Sequence, residues 1–239
     1  MRKLQAPIKG IFFDIGWTLY YEVSKKWFFN KKFIGYIDIN IFEVIPKYKK
    51  DSAFKRALKY LDDNHLLMTE DDELKQFETF YSMLANDLPE LGLNIEQVKE
   101  IAYSEVFDAS NYSLFNDTLS TLEVLKGKYK LGVISDTWPS VELKLKSHRI
   151  YNYFDTKTFS CFLGTWKPDE RMYRHALEQM KLPSEQTIFI DDGVENLEGA
   201  EKCGIQPVLI TAKPNPESTD KYPSIKNLSD LFDLLPESH

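Results

Sequence analysis

Three short apolar runs in this 239-residue chain each stop abruptly at carboxylate or hydroxyl side chains: Ile11-Phe12-Phe13-Asp14, Val133-Ile134-Ser135-Asp136 and Ile188-Phe189-Ile190-Asp191-Asp192. Runs without polar alternation are buried on both faces, which is the habit of strands inside a parallel sheet. The full pattern predicts strands over 8–13, 130–134, 158–162, 187–190 and 207–210. Helical periodicity fills the gaps at 140–148, at 168–180 with Pro168 in the first helical position, and at 194–203 with Gly204 as a left-handed cap. Strand and helix in alternation imply right-handed crossovers and an α/β fold with a doubly wound parallel sheet.

Residues 21–110 interrupt that alternation with patterns that are almost all helical and no convincing buried strand run, so the sequence predicts an inserted α-helical domain there, with 1–20 and 111–239 forming the α/β core. Asp51 and Ser52 are read as caps before Phe54, Ala57, Leu58 and Leu61. An acidic first turn at Asp71 to Glu73 precedes Leu74, Phe77, Tyr81 and Leu84. Asn94 and Gln97 have the spacing of a capping box. These stripes read as bundle core. The aromatic concentration from Phe12 to Tyr36 reads as packing the inserted domain onto its hinge, with the lining of an apolar pocket as the alternative. Residues 211–223, with three prolines, read as a surface loop before a last helix at 228–235.

Thirty Lys and Arg against 37 Asp and Glu leave a formal charge of −7, which offers no basic field for a polyphosphate backbone and argues against nucleic acid. Cys161 and Cys203 have neither disulfide nor metal spacing and are expected to be buried, a usage that fits a cytoplasmic protein. No apolar stretch approaches the ~20 residues that span a bilayer, so no membrane partner is expected. His65, His148, His175 and His239 lie apart from the strand-end residues and receive no role.

In an open α/β sheet, ligands bind beyond the carboxyl ends of the strands, where Asp14, Ser135, Asp136, Asp191 and Asp192 fall, with Lys167 just ahead of a helix. A carboxylate nucleophile, a hydroxyl, an ammonium and an acidic pair are the parts that hold a phosphoryl group beside a hard cation. In these residues, in order and each at its strand end, the chain resembles the haloacid dehalogenase superfamily of phosphohydrolases. The resemblance implies a Rossmann-like core with a helical cap between the first two motifs. It implies Asp14 as nucleophile, Ser135 and the amide of Asp136 on the phosphate, and Lys167 neutralising charge. Mg²⁺ would be held by Asp14, the Gly16 carbonyl, Asp191 and Asp192, with Asn196 supporting Lys167. The reaction implied is Mg²⁺-dependent hydrolysis of a small phosphorylated metabolite through an aspartyl-phosphate, by a monomer or homodimer.

One position departs from the resemblance: Gly16 stands where most phosphatases of the superfamily carry a second Asp that acts as acid and base. Such help is worth about 10² to 10⁴ in rate. Three accommodations stay open: an easily expelled leaving group, a carboxylate from elsewhere, or slow or absent turnover in a phosphate-binding member. Dehalogenation and phosphonate cleavage are the remaining alternatives. Trp17 beside it reads as packing rather than as a wall of the site.

Overall fold

Strands apolar on both faces need helices on both sides, and the computed structural model, which describes residues 4, 5 and 7–235, has that arrangement. The outer residues of the expected core, 1–3 and 236–239 with His239, and residue 6 lie outside the described residues. The elements are β1 (Gly10–Phe13), β2 (Tyr20–Glu22), α1 (Lys31–Tyr36), α2 (Ile39–Val44), α3 (Lys47–Asp63), α4 (Glu70–Asp87), α5 (Ile95–Phe107), β3 (Tyr112–Leu114), α6 (Thr118–Lys126), β4 (Lys130–Ser135), α7 (Val141–Ser147), β5 (Thr156–Phe159), α8 (Ser160–Leu163), α9 (Glu170–Met180), β6 (Thr187–Asp191), α10 (Val194–Lys202), β7 (Gln206–Ile210), β8 (Ser224–Ile225) and α11 (Leu231–Leu234). The chain divides into an α/β unit, comprising the chain up to Tyr21, Leu114–Thr137 and everything from Leu145, and a helical unit, Glu22–Ser113 with Trp138–Lys144.

The α/β unit is built on a parallel six-stranded sheet in the order β5-β4-β1-β6-β7-β8. Chain order reverses at β1, which lies between β4 and β6, and this switch point is where such sheets open a crevice. Register sets what meets there. Phe13 is level with Val133 and with Ile190, so the residues just beyond are Asp14, Ile134-Ser135 and Asp191-Asp192. Below them, Phe12, Ile134, Phe189 and Leu209 pack against Met172, Tyr173 and Ala176 of α9 and Leu197 and Ala200 of α10.

Gly199 permits that packing near the crevice, because a Cβ there would come within 2.8 Å of Pro168 and of the Tyr173 ring. Gly199→Ala is therefore expected to cost about 1–3 kcal/mol through overpacking. A lower urea midpoint at unchanged m-value would show it; an unchanged midpoint would mean that α10 shifts freely.

Several local expectations are corrected. The strand expected over 158–162 runs from Thr156 to Phe159, because Ser160 starts the helical turn α8, which closes at Gly164 with φ +60°. Helix α9 begins at Glu170 rather than Pro168, since Asp169 caps it by accepting from the Arg171 amide. Asp51 and Ser52 lie inside α3, which starts at Lys47 after Pro46. The last helix is a 3₁₀ turn, Leu228–Asp230, followed by α11. Cys161 is buried, but Cys203 at the end of α10 is only half-buried. Gly204 takes the expected left-handed conformation, φ +84°. The short strands β2 and β3, which no sequence pattern anticipates, pair with each other, one at the start of the expected helical segment and one just past its end.

In the helical unit, α3, α4 and α5 bury Ala53, Ala57 and Leu61 against Phe77, Phe80, Leu84, Val98 and Ile101. Phe28, Phe29 and Phe33 join this core, with Phe29 stacked on Phe54 at 5.6 Å, so most of the aromatic run is structural. Thr69 caps α4, and both bonds of the Asn94–Gln97 capping box are formed at α5.

A buried polar cluster lies in the same unit. Glu105 accepts from Asn30 Nδ2 at 2.9 Å, Tyr81 Oη at 3.1 Å and Tyr112 Oη at 2.8 Å. Glu73 accepts from both the amide and the hydroxyl of Ser140 at 2.6 Å. Trp138 Nε1 donates to Gln76 at 2.7 Å, and the Lys144 ammonium lies 4.6 Å from the Tyr112 ring centre.

Burial, with Glu105 adding to it, pushes Glu22 up to about 8. Burial likewise lifts Glu73 to about 7, against the pull of Lys144 and the Ser140 bonds. Carboxyls raised in the folded state stabilise it fully below their unfolded pKa, and this contribution is lost as pH rises through the folded values. Burial lowers His65 to about 4, a contribution of opposite sign that is lost only as pH falls below about 6.5. Between pH 6.5 and 8.5 His65 adds nothing while Glu22 and Glu73, together with Asp14, lose their contributions, so the thermal midpoint should fall by roughly 5–10 °C. Glu22→Gln should flatten that slope; a variant as pH-sensitive as the wild type would rule Glu22 out as its source.

Candidate active site

Asp14 emerges from β1 with its amide bonded to the Ile190 carbonyl at 2.9 Å, which fixes the side chain at the mouth of the switch point. Lys167 arrives from the loop before α9. Its ammonium donates to Asp14 Oδ1 at 2.6 Å, to Asp191 Oδ2 at 2.7 Å and to the Ile134 carbonyl at 3.4 Å, and it lies 5.3 Å from the Phe189 ring centre. Asp14, Ser135, Lys167 and Asp191 are all buried, which strengthens each of these charge contacts.

The other expected residues take defined places. Asp136 uses its carboxylate to accept from the Lys167 amide at 2.9 Å, so it fixes the backbone that carries the ammonium. Of the amides after Ser135, that of Thr137 donates to Ser160 Oγ at 2.8 Å. Asp191 accepts from Lys167, from the Gly193 amide at 2.7 Å and from Asn196 Nδ2 at 3.0 and 3.2 Å. Asn196, in the first turn of α10, thus steadies Lys167 through Asp191. Protein donors take both Asp191 oxygens, which sets it apart from Asp192, whose partner is Lys213 at 2.9 Å.

Lys213, missed in sequence because it lies in the loop after β7, also pairs with Glu217 at 3.2 Å, and Glu217 accepts from the Val194 amide at 2.9 Å. Its one sequence signal is a lysine three residues past a strand's carboxyl end. Gly16 and Trp17 continue the turn after Asp14. Trp17 adopts φ +56° and stacks on Tyr21 at 5.9 Å.

Charge is out of balance here. Burial raises Asp14 above the ordinary carboxylate range despite Lys167, and Asp191 and Asp192 add to the rise. Burial also raises Asp136, and burial with Asp191 raises Asp192. Lys167 resists its own burial because Asp14, Asp191 and Asp136 hold its pKa well above the usual lysine value. Five carboxylates, counting Glu217 through Lys213, therefore share two ammonium groups, a surplus of negative charge that a divalent cation would reduce.

Among the described residues no three Asp, Glu, His or Cys side chains form a metal-holding group. Magnesium does not require one, since it keeps several waters and commonly takes one or two carboxylates with substrate phosphate oxygens. The oxygen-only donor set and its surplus negative charge fit that ion. Among the described residues no helix is long and apolar enough to cross a membrane.

Comparison with known proteins follows the same lines. Glyceraldehyde 3-phosphate phosphatase of Methanothermobacter thermautotrophicus is 26% identical over 228 residues, covering 86% of this chain and 87% of that protein. (S)-2-haloacid dehalogenase 4A of Burkholderia cepacia is 27% identical over 128 residues, which cover 52% of this chain and only 55% of the dehalogenase. The magnesium-bound structure of YfnB from Bacillus subtilis superposes with a TM-score of 0.64 at 15% identity, covering 96% of this chain and 99% of that one, a likeness of fold. The family model for haloacid dehalogenase-like hydrolases matches residues 8–204, a span holding Asp14, Ser135, Lys167 and Asp191, and by that match the chain belongs to the haloacid dehalogenase-like hydrolases.

Proposed function

We propose that the protein is a Mg²⁺-dependent phosphatase that hydrolyses small phosphorylated metabolites through an aspartyl-phosphate on Asp14. The observation that carries this reading is the surplus of carboxylates over ammonium groups at the switch point. A carboxylate attacking a phosphate dianion is repelled without a cation, whereas one displacing halide attacks a neutral carbon and needs none. The similarity to a phosphatase over most of both chains supports the same choice.

Asp14 attacks phosphorus in line and the bond to the leaving oxygen breaks; water then cleaves the acyl-phosphate and releases inorganic phosphate. Lys167 balances charge on the transferring group and holds Asp14 in its attacking rotamer, while Ser135 donates to a phosphoryl oxygen. Asp14, Asp192 and the Gly16 carbonyl would hold magnesium, which supplies charge neutralisation and orients the phosphate. Asp191 serves chiefly to pin Lys167.

Gly16 offers no proton to the leaving oxygen, so turnover should favour groups that depart as stable anions. The test is hydrolysis of an aryl phosphate with Mg²⁺ and with chelator: turnover is expected only with the ion. Halide release from a 2-haloacid, or turnover in chelator, would overturn the reading. Gly16 also favours a second reading, a phosphate-binding protein without turnover. Gly16→Asp separates the two, because an active wild type should gain about 10-fold or more on alkyl phosphates and little on aryl phosphates. A silent wild type whose variant turns over would favour the second.

A further inference from the structure

The five residues after Ser135 are tied down from two sides. On the α/β side, Ser160 Oγ accepts from the Thr137 amide at 2.8 Å and donates to the Thr137 carbonyl at 3.2 Å, while Asp136 is held by the Lys167 amide. On the other side, the next residues belong with the helical unit, in which α4 receives them. Gln76 accepts from Trp138 Nε1 at 2.7 Å, and Glu73, one turn earlier on the same helix, accepts from the amide and the hydroxyl of Ser140 at 2.6 Å each. Gln76 is itself anchored, donating to the Asn64 carbonyl at 2.7 Å. Phe77 and Phe28 pack on the Trp138 ring at 5.4 and 6.0 Å.

Burying a carboxylate among these aromatics is costly, and an apolar residue would fill the same volume more cheaply. Its bonds make sense of it. Both Glu73 oxygens accept from Ser140, the residue just before α7, and in the ionised form of Glu73 these are charge-assisted bonds, about twice as strong as neutral ones. An anchored Ser140 leaves Asp136 to Pro139 little freedom, and displacing a phosphate-contacting group by about 1 Å can cost about 10² in rate.

We propose that Glu73 and Gln76 are positioning residues that hold the loop after Ser135 in the shape in which it meets phosphate. The consequence for turnover rests on the phosphatase reading; the hold on the loop does not. Neither residue lies in the strand-end constellation, and both act through Trp138 and Ser140.

The test compares the wild type with Glu73→Ala, Glu73→Gln and Gln76→Ala by amide hydrogen exchange and by aryl phosphate kinetics with Mg²⁺. Glu73→Gln preserves an acceptor for the Ser140 amide, and Gln76→Ala removes the Trp138 and Asn64 bonds while leaving both Ser140 bonds in place, so a Glu73→Ala that fails to fold would not end the comparison. Exchange over 136–141 should quicken about 10-fold or more in Glu73→Ala and Gln76→Ala, with that of β6 and α5 unchanged, and Glu73→Gln should restore most of the protection. In the same variants kcat should fall about 10-fold or more while KM moves by less. Unchanged exchange over 136–141, or an equal rise throughout the protein, would overturn the proposal, and so would a loosened loop with wild-type kcat. If the wild type itself fails to turn over, the phosphatase reading falls and exchange alone decides the positioning role.

Discussion

Asp14→Asn should lose about 10⁴–10⁶ of aryl phosphate turnover while keeping the fold. Asparagine matches the shape of Asp14 and retains an oxygen to accept from Lys167, so the 2.6 Å contact has a neutral replacement. The amide oxygen is a far poorer nucleophile and cannot form the acyl-phosphate. Folding should hardly suffer, because the substitution removes one negative charge from a group of buried carboxylates that already outnumber their ammonium partners. The measurement is kcat together with a urea unfolding curve. Residual activity within about 10-fold of wild type would remove Asp14 as nucleophile, whereas a collapsed urea midpoint would show that its charge is structural.

Lys167→Met should have the largest effect on stability, about 3–5 kcal/mol, because it leaves Asp14 and Asp191 buried against each other with no cation between them. The Asp136 bond survives, since it goes to the backbone amide, so the loop should keep its course and the loss should reflect charge rather than misplacement. Turnover should vanish with it. Urea unfolding read at Lys167→Met and at the double variant Lys167→Met/Asp14→Asn gives the coupling: the second change should recover part of the loss. Additive losses would mean that the two side chains hardly interact.

The sheet and its reactive edge were legible because one rule governed both. Apolar runs buried on two faces end where the strand leaves the core, and the next residue faces the crevice, so Asp14, Ser135 and Asp191 are placed by their position at strand ends. Lys167 could be named from the resemblance, but its three acceptors depend on a loop whose path is set by Asp136, 31 residues earlier. Lys213 stayed hidden because nothing local marks which loop residue will turn back toward Asp192. That Asn196 would support Lys167 comes from the resemblance, and the route through Asp191 depends on the position of α10. The start of α9 was misjudged for a different reason: two adjacent residues, Pro168 and Asp169, are both good helix openers, and the Asp169 side-chain bond settles between them.

Seven residues, Trp138–Lys144, group with the helical unit although 24 residues separate them from its other segment. The chain therefore changes unit four times and not twice. Cutting out 22–113 and closing the gap would strand the Trp138 indole and the Glu73-bonded Ser140 without hosts. The helical unit is consequently not a cassette. A lineage, or an engineer, exchanging it for another would have to inherit both pieces together, so change in the insertion and change in the stretch just past Ser135 should travel as one.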